Sequence, residues 1–161
     1  MIKYIKKVNE LAYQSAQKGN DPFAALLVKE DKIVANTLDT SVIQSDPTAH
    51  AELDLIRTFC KDNNIFSLEE YTLVSSTEPC VMCSGAIHWS RIGKVVYSVS
   101  QTALNNSNNG NLKPTCESIV NVGKRKIEVV GPILEEEGIK VFKDFPLVPK
   151  ITRHKTLKFA E

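Results

Sequence analysis

Residues 71–99 read YTLVSSTEPCVMCSGAIHWSRIGKVVYSV, and this stretch decides the fold. The apolar run from Tyr71 to Ser75 is typical of a buried strand, and Lys94 to Val99 forms a second run of this kind. Pro79 opens a helix from Cys80 to Ser90 between them, because proline suits the first turn of a helix. A strand, a helix and a strand in this order predict a parallel βαβ unit with a right-handed crossover. Helices should cover both faces of its sheet.

The residues before this unit predict two helices and a hairpin. Apolar residues at helical spacing indicate a first helix over residues 3–18. Two short apolar runs, Phe23 to Val28 and Ile33 to Asn36, flank a polar turn and predict an antiparallel hairpin. A second helix is expected from Thr48 to Cys60, with residues 46–48 as its start signal.

The residues after the unit have weaker patterns. Residues 101–122 are rich in Asn and predict a long loop with one helical turn near Glu117. A last strand is expected from Lys126 to Val130 and a last helix from Pro132 to Phe145, weakened by Gly138. We expect one domain over residues 1–149, followed by a basic tail over residues 150–161.

Composition narrows the class of protein. The 161 residues carry 20 Lys and Arg against 19 Asp and Glu, a net charge of +1, which mildly disfavours a large polyanion as partner. No apolar run approaches the roughly 20 residues of a membrane span, and the N-terminus lacks the apolar core of a signal peptide. We therefore expect a cytoplasmic protein without a membrane partner. Four cysteines in such a chain indicate metal binding or catalysis instead of disulfides.

Two short motifs carry candidate chemistry: His50-Ala51-Glu52 and Pro79-Cys80-Val81-Met82-Cys83. In this order they form the signature of zinc deaminases. Cysteines three apart on a helix share one face, and a helix N-terminus favours their thiolate form. With His50 they would supply three ligands, which leaves a tetrahedral zinc one position for water. A closed structural site would need a fourth protein ligand, and no further His or Cys lies nearby at ligand spacing. We predict one catalytic Zn²⁺ per chain.

Glu52 follows the predicted ligand His50 by two residues. It would act as the proton shuttle, taking a proton from the water, delivering it to a ring nitrogen and then protonating the leaving amine so that ammonia departs. A Cys-x-x-Cys pair alone is as often a redox pair or half of a structural zinc site, so a non-catalytic zinc-stabilised scaffold is the competing interpretation.

Residues 46–52 and 78–87 resemble the cytidine deaminase-like superfamily, in its branch of tRNA adenosine deaminases, guanine deaminases and related nucleobase deaminases. The resemblance covers most of residues 1–145. It implies an α/β fold, a three-layer α/β/α sandwich with a mixed five-stranded sheet. It also implies zinc and a homodimer whose partner subunit helps to shape the active site.

The resemblance separates two kinds of substrate. Residues 21–23 and 87–91 are similar to guanine and other free-base deaminases. The tRNA branch has a glycine where Ala24 stands here, and a Leu-Asn-His element before its last strand that this sequence lacks. We therefore expect a free nucleobase or nucleoside with a guanine-like, isocytosine-like or cytosine-like ring. A tRNA-specific adenosine deaminase is the alternative.

One departure concerns substrate contact. The resembled families have a substrate-contacting Asn eleven residues before the ligand His, and Asp39 stands there in this chain. An ionised carboxylate accepts hydrogen bonds and does not donate them, so the pocket should prefer rings that present N–H groups. Asn36 fills the same role if the register is shifted by three residues.

Five further residues are candidates for substrate contact. They are two aromatic side chains that could stack on a ring, two residues beside the motifs and one acid in the long loop: Phe23, Trp89, Ala51, Ser76 and Glu117. The aromatic pair fits a core or an interface equally well.

Overall fold

A five-stranded mixed sheet forms the centre of the protein. The structure, a computed structural model, describes residues 1–108 and 114–147. The strands are β1 (Ala24–Lys29), β2 (Lys32–Leu38), β3 (Thr72–Thr77), β4 (Lys94–Val99) and β5 (Glu128–Val130). Their order across the sheet is β2-β1-β3-β4-β5. Strand β1 runs antiparallel to β2 and β3, whereas β3, β4 and β5 run parallel. The predicted hairpin and the predicted parallel βαβ unit are confirmed.

Helices connect and cover the strands. Within the described residues they are α1 (Ile2–Gln17), α2 (Ser41–Gln44), α3 (Ala51–Asn63), α4 (Val81–Trp89), α5 (Gln101–Asn108), α6 (Cys116–Val120), α7 (Glu135–Gly138) and α8 (Lys140–Asp144). None of these helices is long and apolar enough to cross a membrane. The expected basic tail and the domain boundary at residue 149 lie outside the described residues.

The alternation of side chains along the strands divides the core into two layers. On one face, Leu73 packs with Leu55 of α3 and Ile87 of α4. On the other face, Val74 packs with Ile5 of α1. Successive side chains of a strand point to opposite faces, so neighbours in β3 supply opposite layers. The predicted three-layer α/β/α sandwich is confirmed.

The helix expected from Thr48 begins three residues later, at Ala51. The Asp46 carboxylate accepts hydrogen bonds from the Thr48 backbone N–H (2.8 Å) and hydroxyl (2.7 Å). These bonds close a turn before the helix, and His50 takes the N-cap position with an extended backbone. Residues 46–48 therefore mark a turn in the loop before α3 and not the first turn of the helix.

Two further expectations were wrong. Residues 101–108 form α5 and not a loop. The single helix expected over 132–145 is split into α7 and α8, and the short α2 was not expected. At the split, Gly138 packs so tightly on β4 that a Cβ would lie 2.5 Å from Ser98 Oγ and 2.6 Å from Val99 Cγ2. Only a glycine allows this close approach.

Candidate metal centre and active site

Three potential ligand atoms converge at the ends of two helices. His50, Cys80 and Cys83 each offer one atom, and these atoms lie within 4.8 Å of one another. The His50 Nδ1 atom is 3.6 Å from Cys80 Sγ and 3.7 Å from Cys83 Sγ. One imidazole and two thiolates are the donor set that zinc accepts. The residues therefore fit a zinc ion.

The fold explains why these atoms meet. His50 is the N-cap of α3 and Cys80 the N-cap of α4, and both have extended backbones that turn the chain into its helix. The two helices cover the same face of the sheet, so their N-termini lie side by side. Cys83 stands one turn along α4. The positive ends of both helix dipoles favour the thiolate form of the cysteines.

The two cysteine thiols shift each other's pKa values. A hydrogen bond from the Cys83 thiol is the main cause that lowers the pKa of Cys80 to about 4. The same bond, followed by burial, raises the pKa of Cys83. The lowered pKa favours the thiolate form of Cys80, and cysteines bind a metal ion as thiolates.

Glu52 lies in contact with this group from the first turn of α3, where its side chain is buried with 5% exposure. Its Oε1 accepts a 2.8 Å hydrogen bond from the Ser75 hydroxyl, and the Cys83 thiol donates to its Oε2 at 3.4 Å. Burial raises the pKa of Glu52, and the bond from Ser75 opposes this rise. A carboxyl group with a raised pKa is suited to both taking and giving a proton.

The loop that carries Asp39 lies beside the residue before His50. The Asp39 backbone N–H donates to the Phe23 carbonyl at 2.9 Å, and the Thr40 N–H donates to the Ala49 carbonyl at 3.1 Å. The Asp39 side chain is fully buried, and its Oδ1 accepts from the N–H and the hydroxyl of Ser41.

Asn36, the alternative to Asp39, lies elsewhere. It is exposed on β2, the edge strand of the sheet, where it pairs with Leu26. Its position favours Asp39 as the counterpart of the Asn in the resembled families.

Three other candidates lie next to the motifs along the chain or at the start of β1, where the Phe23 ring packs against Phe142 of α8. Phe23 is half-buried immediately before β1, and Ala51 is the buried first residue of α3. The Ser76 hydroxyl accepts a 3.0 Å hydrogen bond from the Ala24 N–H, which ties β3 to β1.

Two candidates do not join the group. Trp89 is 82% exposed at the last residue of α4. At about 1.5 Å per residue it lies about 13 Å along the helix from Cys80. Glu117 is exposed in the first turn of α6. The structure therefore leaves both side chains at the surface.

Sequence reasoning missed two side chains beside the motifs. One is Ser75, whose hydroxyl contacts Glu52. The other is Glu78, whose buried carboxylate accepts from the N–H groups of Gln101 and Cys116 and so fixes α5 and α6 next to Pro79. For Ser75, the signal in the sequence was a serine where the strand pattern expects an apolar residue. For Glu78, it was a carboxylate directly before the Pro-Cys motif.

Known proteins resemble the chain over most of its length. The family model for the cytidine and deoxycytidylate deaminase zinc-binding region matches residues 1–99. A probable cytosine deaminase of Schizosaccharomyces pombe is 33% identical over 149 residues, covering 89% of this chain and 91% of that protein. A tRNA-specific adenosine deaminase of Buchnera aphidicola is 31% identical over 143 residues, covering 88% of this chain and 91% of that protein.

Solved structures agree. The guanine deaminase of Bacillus subtilis has a TM-score of 0.64 at 35% identity, covering 67% of this chain and 69% of that one. The guanine deaminase of Nitrosomonas europaea has a TM-score of 0.76 at 22% identity, covering 88% and 81%, and at this identity it shows the shared fold alone. The predicted superfamily and its zinc dependence are confirmed. The chain belongs to the zinc-binding cytidine and deoxycytidylate deaminase family, whose members are hydrolases acting on C–N bonds.

Proposed function

We propose that this deaminase acts on a free nucleobase or nucleoside whose ring is guanine-like, isocytosine-like or cytosine-like. The observation that carries the proposal is the buried carboxylate of Asp39, in a loop bonded to Phe23 and to the residue before His50. Among the relatives, a probable cytosine deaminase and a guanine deaminase are consistent with a small ring as substrate.

Asp39 would select rings that present N–H groups. A carboxylate offers acceptors only, whereas the Asn of the resembled families offers an acceptor and a donor. The two donors of Ser41 bind Oδ1 and fix the plane of the group. A ring nitrogen that carries a proton, as in guanine or isocytosine, suits this acceptor. A ring nitrogen that has only a lone pair is itself an acceptor, so it could not hydrogen-bond to the Asp39 carboxylate.

The remaining roles follow from the geometry of the group. His50, Cys80 and Cys83 would hold the zinc ion, and zinc lowers the pKa of a bound water from 15.7 to about 7. Glu52 accepts a proton from the attacking water through Oε2, the oxygen that faces Cys83. It would pass this proton to the ring nitrogen, then take the proton of the newly added hydroxyl group and give it to the leaving amine. The oxygen of water thus becomes the exocyclic carbonyl oxygen of the product, and ammonia departs.

Deamination of the wobble adenosine of tRNA is the second candidate. It is favoured by relatives named tRNA-specific adenosine deaminase, one of them covering 88% of this chain. The net charge of +1 argues mildly against such a polyanion.

The experiment is a substrate panel. Ammonia release by the zinc-loaded protein is measured with guanine, isocytosine, cytosine and adenosine, and inosine formation with an anticodon stem-loop RNA. We expect turnover of a free ring. Silence towards every free ring, together with salt-sensitive inosine formation in the RNA, would replace the proposal by the tRNA activity.

The substitution Asp39→Asn tests the selection of the ring, because it changes the donor pattern at nearly constant volume. We expect the ratio of kcat/KM for guanine or isocytosine to that for cytosine to fall at least tenfold. An unchanged ratio would show that Asp39 serves only to fix its loop through Ser41.

We also propose that a second copy of the chain covers the outer face of α3 and α4. On this face Trp89 is 82% exposed and Phe66 is 95% exposed, and both border a groove that includes Ile56 and Ala86. Apolar side chains grouped in this way are typical of an interaction surface. A ridge and a groove on one surface allow two copies to pair about a two-fold axis. The groove lies along the C-terminal halves of both helices, whose N-termini carry the predicted ligands.

A further inference from the structure

The Ser75 hydroxyl distinguishes the two oxygens of Glu52. It donates to Oε1 at 2.8 Å, while Oε2 faces the Cys83 sulfur at 3.4 Å. Both side chains are buried, with exposures of 1% for Ser75 and 5% for Glu52. Water therefore has little access to Oε1, and the serine hydroxyl takes the place of a solvent donor.

The position of this hydroxyl is set by the centre of the sheet. Strand β3 lies between β1 and β4, and Ser75 pairs with Ala25 on one side and Tyr97 on the other. Because neighbouring strands hold the Ser75 backbone on both sides, its side chain can move only by changing rotamer. The hydroxyl is thus a fixed donor for a carboxylate that arrives from a different element, α3.

The identity of the residue is unusual for its place. Ser75 occupies the face of β3 that also carries Leu73, and this face packs on apolar residues such as Ala25 and Leu55. An apolar side chain would fill this position and would need no hydrogen-bond partner. A buried hydroxyl on an apolar face costs free energy unless a specific contact satisfies it. Here that contact is Glu52.

A terminal carboxylate rotates easily about its last bond, because this torsion is broad. A proton moves efficiently only when the carboxylate oxygen lies within hydrogen-bond reach of the reacting atom. Binding Oε1 to a fixed hydroxyl sets the plane of the carboxylate and leaves Oε2 on the side of the ligand group.

We propose that Ser75 is a positioning residue for deamination, which holds Oε1 of Glu52 so that Oε2 is directed towards the ligand group. The inference rests on the role proposed for Glu52 above. Ser75 itself touches neither substrate nor metal in this account.

The test compares variants that differ in the hydroxyl group. Ser75→Ala removes it. Ser75→Thr keeps a hydroxyl, and Ser75→Val lacks one at nearly the same side-chain volume as Thr. We expect kcat to fall about 10-fold to 100-fold in Ser75→Ala and Ser75→Val, which is the usual cost of losing such a support. The value of KM and the zinc content should stay within twofold, and Ser75→Thr should recover most of the lost kcat. A merely structural role would instead lower the melting temperature and leave kcat per zinc-loaded chain unchanged.

Wild-type kcat in Ser75→Ala would overturn the inference, and so would equal values in the Thr and Val variants. Glu52→Gln, assayed beside them, separates this failure from failure of the proposed function: an active Glu52→Gln overturns the role of Glu52 itself. Crystal structures of the zinc-loaded wild type and Ser75→Ala give a readout independent of turnover. We expect the Glu52 carboxylate to rotate or to occupy several orientations in the variant, and an unchanged single orientation contradicts the inference.

Discussion

At the residue scale, the cysteines differ in their surroundings. Cys80 and Cys83 lie with His50 within 4.8 Å, whereas Cys60 is half-buried near the end of α3 and outside this group. A metal needs converging donors, so the position of a cysteine decides whether it binds zinc.

We therefore predict that Cys80→Ser lowers the zinc content from one ion per chain to well below half after dialysis. Cys60→Ser is the matched control and should keep one ion per chain. Metal analysis by mass spectrometry gives both values. A full zinc complement in Cys80→Ser would exclude Cys80 as a ligand.

The ligands could be predicted from the sequence because few side chains bind zinc and their spacing on a helix is informative. The partner of Glu52 could not, since Ser75 is 23 residues away and meets Glu52 only when α3 packs on β3. The hydrogen bonds of Asp39 to Ser41 were equally hidden from the sequence.

At the scale of elements, the connection from α4 to β4 depends on close backbone packing at Gly93. A Cβ at this position would lie 2.0 Å from the Glu69 carbonyl oxygen, so the backbone would have to move. We expect Gly93→Ala to lower the free energy of unfolding by about 2–4 kcal/mol, as strained backbone substitutions do.

Gly85 in the middle of α4 provides the contrast. A Cβ there meets nothing within 4 Å, so Gly85→Ala should raise the free energy of unfolding by up to about 1 kcal/mol through helix propensity. Urea denaturation measures both changes. Equal effects of the two substitutions would contradict this account of the packing.

Elements with a clear apolar period could be predicted to within a few residues, as for α1, β4 and α4. Helix α5 could not, because its sequence is rich in Asn and has a low helix propensity. Contacts to distant residues hold it: the Gln101 side chain donates to the Pro79 carbonyl, and Leu104 is buried with Val99. Such contacts have no local signal.

At the scale of the whole molecule, the exposed apolar face of α3 and α4 bears on assembly. If a second copy covers this face, a charge there should separate the copies. We predict that Phe66→Glu combined with Trp89→Glu converts a dimer to a monomer in analytical ultracentrifugation. Ile33→Glu, at an apolar residue 41% exposed on β2, is the control and should leave the dimer intact. A wild-type protein that sediments as a monomer would contradict the proposed pairing.

The layered architecture could be predicted from the order of elements and the family resemblance, because apolar faces of helices and sheets must cover each other. The order of elements does not predict whether two copies assemble. A sequence does not distinguish an apolar residue of the core from one at an interface, and Trp89 fits both patterns.

The central claim is that Glu52 moves protons beside a zinc ion held by His50, Cys80 and Cys83. The most direct measurement is ammonia release by Glu52→Gln and wild type, each loaded with zinc, on the free ring that the wild type deaminates fastest. Glutamine keeps the shape of the side chain but cannot exchange a proton in this way. The account predicts equal zinc content, an unchanged melting temperature and turnover reduced by about 10² to 10⁴. Turnover within tenfold of the wild type would contradict it.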